Sequence, residues 1–224
     1  MTIQRFSKGE AIRFGWETMK TNLGFFIGLL IVTGLIIAVP SFISGLIKEN
    51  ALALSIIIDI ALQVLQIVIG MGFIRIALKF CDNEKGKFSD IFSCFPLFFK
   101  YLFGYILYGL IILGGMILLI IPGIIWGIKF QFLGYFIVDK GLGPIEALKR
   151  SSAITKGAKW NLFLFGLLLT LINLLGLLCL FIGLFAAVPT TMVAQAFVYR
   201  KLLAQTEISQ SERVSGILSK EEVT

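Results

Sequence analysis

The chain has 224 residues, of which 58% are hydrophobic and only 15% charged, with 21 phenylalanines and no histidine; its mean hydropathy is +0.95. A soluble domain carries roughly 25% charged residues and must keep its outside wettable, so the composition excludes a soluble globule and predicts an all-α integral membrane protein. The net charge of +7 then reads as membrane sidedness, which excludes a nucleic-acid partner.

Residues 8–20 place Ile12, Trp16 and Met19 on one helical face and Arg13, Glu17 and Lys20 on another. This predicts an amphipathic helix lying on the inner leaflet; a plain extension of the next helix is the alternative. Residues 22–47 are charge-free, the length of one crossing of about 30 Å of hydrocarbon. Residues 51–74 form a second span, interrupted only by Asp59. A second interfacial helix is expected over 89–99, opened by Ser89-Asp90 and bent at Pro96.

From 101 to 138 only Lys129 is charged, a run too long for one crossing. A turn at Ile121-Pro122-Gly123 divides it into spans 101–120 and 122–138. A third interfacial helix is expected over 144–158, with Pro144 in its first turn. The charge-free stretch that follows folds into spans 160–182 and 185–203, turning near Gly183 to Pro189. Residues 204–224 read as a polar mobile cytoplasmic tail.

Six spans in three hairpins place 18 of the 20 basic residues on one side, leaving only Lys48 and Lys129 elsewhere. The positive-inside rule then puts both termini in the cytoplasm. Trp16, Tyr101, Tyr135, Trp160 and Tyr199 fall near that same interface, as aromatic anchors do. A short internal likeness relates Glu10-Ala11-Ile12-Arg13 to Glu146-Ala147-Leu148-Lys149.

Candidate functional residues are those whose burial is costly. A lone intramembrane charge costs at least about 2.5 kcal/mol on insertion scales, so Asp59 and Lys129 need partners or water. Two arrangements fit: an Asp59–Lys129 pair lining a polar path, or Lys129 snorkelling past Trp126 with Asp59 among headgroups. Gln63, Gln66, Gln131, Asn173 and Gln195 either line a pore or bond helix to helix. Gly24-x-x-x-Gly28 and Gly123-x-x-x-Gly127 allow close helix approach. Without His, a Gly-rich phosphate loop or a metal-ligand cluster, no cofactor, metal or catalytic residue is expected.

Ile121-Pro122-Gly123, Asp139, the run Glu146-Ala147-Leu148-Lys149-Arg150-Ser151, Lys156-Gly157, Lys159-Trp160-Asn161-Leu162-Phe163, Pro189 and Tyr199-Arg200 form a recognisable pattern over residues 113–203. In it the chain resembles a prokaryotic uncharacterised multi-helix membrane family related to the membrane domain of glycerophosphodiester phosphodiesterases. The resemblance implies six helices in a bacterial or archaeal cytoplasmic membrane. It implies neither phosphodiesterase activity nor a substrate.

The leading expectation is a non-enzymatic protein that organises or senses the inner leaflet and cytoplasmic partners. Arg13, Lys20, Lys149, Arg150, Lys156 and Lys159 would meet its anionic headgroups. The alternative is a small transporter or channel using Asp59, Lys129 and the span amides; a lipid-handling enzyme is a third class. A second copy of the chain or another membrane protein stays open as a partner.

Overall fold

The computed structural model describes residues 6–49, 51–179 and 182–221. Their regular structure is helical: α1 (Lys8–Thr21), α2 (Leu23–Ile47), α3 (Leu52–Cys81), α4 (Phe98–Leu118), α5 (Ile120–Phe130), α6 (Leu133–Lys140), α7 (Pro144–Ile154), α8 (Lys159–Leu178) and α9 (Leu184–Glu221). Among the described residues, five helices are long and apolar enough to cross a membrane: Leu23–Ile47, Leu52–Cys81, Phe88–Leu118, Ile120–Lys140 and Lys159–Leu178. They leave Ile117, Leu118, Ile121 and Leu178 at least 70% exposed, as lipid-facing side chains are.

α9 is not among the five. Thr190, Thr191 and Gln195 interrupt its apolar run, yet Val193, Ala194, Ala196, Val198, Tyr199 and Leu202 on it are fully buried. It is the central helix, flanked by α1, α3 and α8. The other close pairs are α2 with α3 and α4 with α5, each a consecutive hairpin.

α1 starts where Ser7 accepts a hydrogen bond from the Glu10 N–H at 3.3 Å, satisfying one free donor of the first turn. Part of its apolar face meets protein. Ala11 and Met19 are buried, Phe14 stacks on Phe197, and a Cβ on Gly15 would run into the Thr190 carbonyl of α9. α7 likewise buries Ala147, Leu148, Ser151 and Ile154. Neighbouring helices thus cover part of each apolar face, while Trp16 of α1 and Ile145 of α7 stay exposed.

Three further expectations are revised. Over 89–99 there is no amphipathic helix but two 3-10 turns, Phe88–Ile91 and Phe95–Leu97. Pro96 supplies no donor, and Asp90 turns back to accept the Lys87 N–H at 2.8 Å and Lys79 Nζ at 2.7 Å. The second span runs past residue 74 to Cys81. In place of a tail from 204, α9 stays helical to Glu221, since a polar composition lacks packing signal without lacking helix propensity.

Candidate functional site

The fourth predicted span is interrupted. Between α5 and α6 the helix breaks at Gln131 and Phe132, which frees backbone groups where water is scarce. α7 satisfies them. Ser151 Oγ accepts the Phe132 N–H at 3.2 Å and donates to the Lys129 carbonyl at 3.1 Å, which Thr155 Oγ1 also reaches at 3.1 Å. Both hydroxyls are fully buried. The spacing Ser151-x-x-x-Thr155 puts them on one face of α7 and its last turn, so a short helix caps the break from the side.

Beside this break lies an open cavity of about 620 Å³, walled by residues of α3, α4, α6, α8 and α9 together with the break itself. Gln131, Asn173 and Gln195 line it, with Tyr105, Thr170 and Thr191. Asn173 Nδ2 donates to Thr191 Oγ1 at 3.1 Å, tying α8 to α9 across the wall. Gly166 also lines the cavity, and a Cβ there would meet nothing within 4 Å. Among the described residues no charged side chain reaches the lining. Amides and hydroxyls both donate and accept, so the wall offers neutral groups of both kinds.

Toward the charged ends of the helices a ring cluster follows. Tyr135, which also lines the cavity, lies 5.2 Å from the Tyr199 ring, with Phe132 and Phe136 at 5.8 Å and 5.2 Å from the same ring. Beyond the rings stands an ion-pair cluster. Arg200 Nη1 donates to Asp139 Oδ2 at 2.8 Å and Nη2 to Asp82 Oδ2 at 2.5 Å, while the Tyr199 hydroxyl donates to Asp139 Oδ2 at 3.0 Å. Asp82 follows α3, Asp139 lies in the last turn of α6 and Arg200 lies mid-way along α9, so one guanidinium joins the ends of α3 and α6 to α9 through its planar fork of donors.

The predicted residues separate into those the cavity gathers and those it does not. Gln131, Asn173 and Gln195 come together. Gln63 and Gln66 stay exposed on the part of α3 away from the cavity. Asp59 and Lys129 form no pair: Asp59 accepts from Ser44 Oγ at 2.7 Å, and Lys129 Nζ sits 4.9 Å from the Phe130 ring centroid. At about 1.5 Å per residue, Asp59 is some 33 Å of helix from the end of α3, whereas Lys129 is about 17 Å from the end of α6. The two charges therefore stand at different distances along the chain from the ends of their helices.

Arg13 pairs with Glu17 at 2.8 Å, and this hydrogen bond holds the exposed Glu17 carboxyl below its ordinary range. Lys20 stands 5.7 Å over Trp16, and Lys149, Arg150, Lys156 and Lys159 are exposed. Tyr135 and Tyr199 are buried among the rings, next to the ion-pair cluster.

Residues 114–206 match the family described as Protein of unknown function (DUF975). The match runs from within α4 into α9 and so holds the break, its two hydroxyls, the three cavity amides, Asp139 and Arg200. Uncharacterised proteins of Mycobacterium bovis and of two Mycobacterium tuberculosis strains are 25%, 25% and 24% identical over 224 residues, covering 88% of this chain and 69% of theirs. No solved structure matches. These likenesses fit an uncharacterised prokaryotic family and carry no link to glycerophosphodiester phosphodiesterases.

Reasoning from sequence missed Ser151, Thr155, Tyr105, Thr170 and Thr191 as site residues, and missed the joining of Asp139 to Tyr199 and Arg200. Asp139, Ser151 and Tyr199-Arg200 already stood in the pattern that carried the family resemblance, which was the available signal. The hydroxyl residues gave none, because a Thr or Ser inside a span usually bonds its own helix.

Proposed function

We propose that the protein binds a small, uncharged, hydrogen-bonding solute in the cavity and passes it across the bacterial cytoplasmic membrane, without covalent chemistry. The observation that carries this reading is the convergence of Gln131, Asn173 and Gln195 on one cavity of about 620 Å³ with no charged lining. A volume of that order suits a small molecule, and neutral donors and acceptors favour polyols, amides or similar groups over ions. In this reading α9 is the sixth crossing and the basic end faces the cytoplasm, with Lys149, Arg150, Lys156 and Lys159 against anionic headgroups. That arrangement keeps the inner-leaflet contacts as an anchor, and assigns the function to the cavity instead of Asp59 and Lys129.

The test is stopped-flow light scattering of vesicles holding the purified protein, challenged with glycerol, erythritol, urea and monosaccharides. At least one solute is expected to enter faster than into protein-free vesicles. Gly166→Phe, which fills the cavity without a clash at Cβ, is expected to remove that excess. Equal permeation of protein-containing and empty vesicles for the whole panel refutes the proposal.

A further inference from the structure

We propose that α6 is the gate of this cavity on the basic side, held shut by the Arg200 ion-pair cluster; the inference rests on the reading of the cavity as a solute path and specifies how that path is closed. α6 is two turns long and carries a joint at each end. At its start lies the break at Gln131 and Phe132, held by side chains of α7 and not by the helix's own ladder. At its end Gly141 takes φ 63°, a left-handed conformation that releases the chain from the helix. Short rigid elements between two such joints are the parts that move in gating transitions.

The lever joins the two features it lies between. Tyr135 at one end lines the cavity, and Asp139 at the other accepts from both Arg200 and Tyr199. Phe132, Tyr135 and Phe136 close on the Tyr199 ring between the cavity and the ion pairs, and displacement of α6 carries away two of the four rings, Tyr135 and Phe136, at once. Arg200 Nε is buried with no partner among the described residues, although Nη1 and Nη2 are both engaged. Asp82, which is half exposed, can be released without disturbing the buried Asp139 contact, giving the latch two separable parts.

The experiment uses the full chain with Cys81, Cys94 and Cys179 replaced by alanine and with Gln195→Cys as the reporter inside the cavity. A membrane-impermeant maleimide is applied to vesicles of either orientation. In the otherwise unaltered chain, labelling is expected from the side opposite the basic end and to be slow from the basic end. Arg200→Gln is expected to speed labelling from the basic end by at least about tenfold, the change expected when a population shifts toward an open state. Asp82→Asn, which leaves the Asp139 contact in place, is expected to give a smaller rise and serves if Arg200→Gln does not fold. An unchanged basic-side rate in folded Asp82→Asn and Arg200→Gln protein overturns the gate and leaves the cavity reading standing. A reporter that no side labels in any background overturns the cavity reading as well.

Discussion

Ser151 and Thr155 decide whether span four can be broken at all. Inside a bilayer an unmatched carbonyl or N–H has no water to turn to, and leaving one buried and unsatisfied costs about 1–3 kcal/mol. Ser151→Ala strands the Phe132 N–H but leaves Thr155 on the Lys129 carbonyl. We expect a loss of about 1–2 kcal/mol for this variant. The double variant with Thr155→Val is expected to lose more than the sum of the single changes, because only then is the carbonyl bare. Denaturant titration of the detergent-solubilised protein checks this, and strict additivity would contradict the shared-carbonyl account. The same residues show why the site was only half legible. Charges such as Asp59 and Lys129 draw attention because their burial is expensive, but Ser44 already serves the one and the Phe130 ring the other. The three amides announced themselves by chemistry, and their convergence depended on a break that no residue type marks.

At the scale of elements, amphipathic period is readable and its covering is not. Residues 8–20 show the same apolar stripe whether lipid or protein lies against it; the protein contact is tightest at Gly15, where α1 and the backbone of α9 touch. Gly15→Val must therefore push α1 off α9, at a cost of about 3 kcal/mol as severe overpacking. Gly24→Val is the matched control: a Cβ at Gly24 meets nothing within 4 Å, so its change should stay near zero. Thermal unfolding of the two variants side by side tests the assignment; equal midpoints would show that α1 does not need that contact. The contrast also corrects the spacing argument. Gly24-x-x-x-Gly28 obeys the close-approach pattern, yet Gly24 faces open space, while a Cβ added at Gly123 of the other motif would come within 3.0 Å of the Met116 backbone. Small-residue spacing permits approach without saying which pair uses it.

For the whole molecule the number of crossings is a question of parity. Five crossings put the two ends of the bundle on opposite sides of the membrane, and six put them on the same side. The contacts argue for an even number: Glu10 on α1 meets Lys201 on α9 at 2.6 Å, and Arg200 beside it reaches the ends of α3 and α6. The start of α1 and the end of the apolar part of α9 thus share one end of the bundle, where the sequence also concentrates its cations. Composition alone could announce that sidedness, because the cations sort by loop. It could not settle α9, whose hydropathy is lowered by Thr190 and by two residues of the cavity wall, Thr191 and Gln195. If α9 crosses, a fluorescent protein that matures only in the cytoplasm should light up on either terminus of the intact chain. Alkaline phosphatase, active only outside, should be silent at both ends. Moving the phosphatase to residues 48–49, between α2 and α3, should switch it on. A bright N-terminal fusion with an active C-terminal phosphatase would mean five crossings, and would require α9 to return within the membrane instead of traversing it.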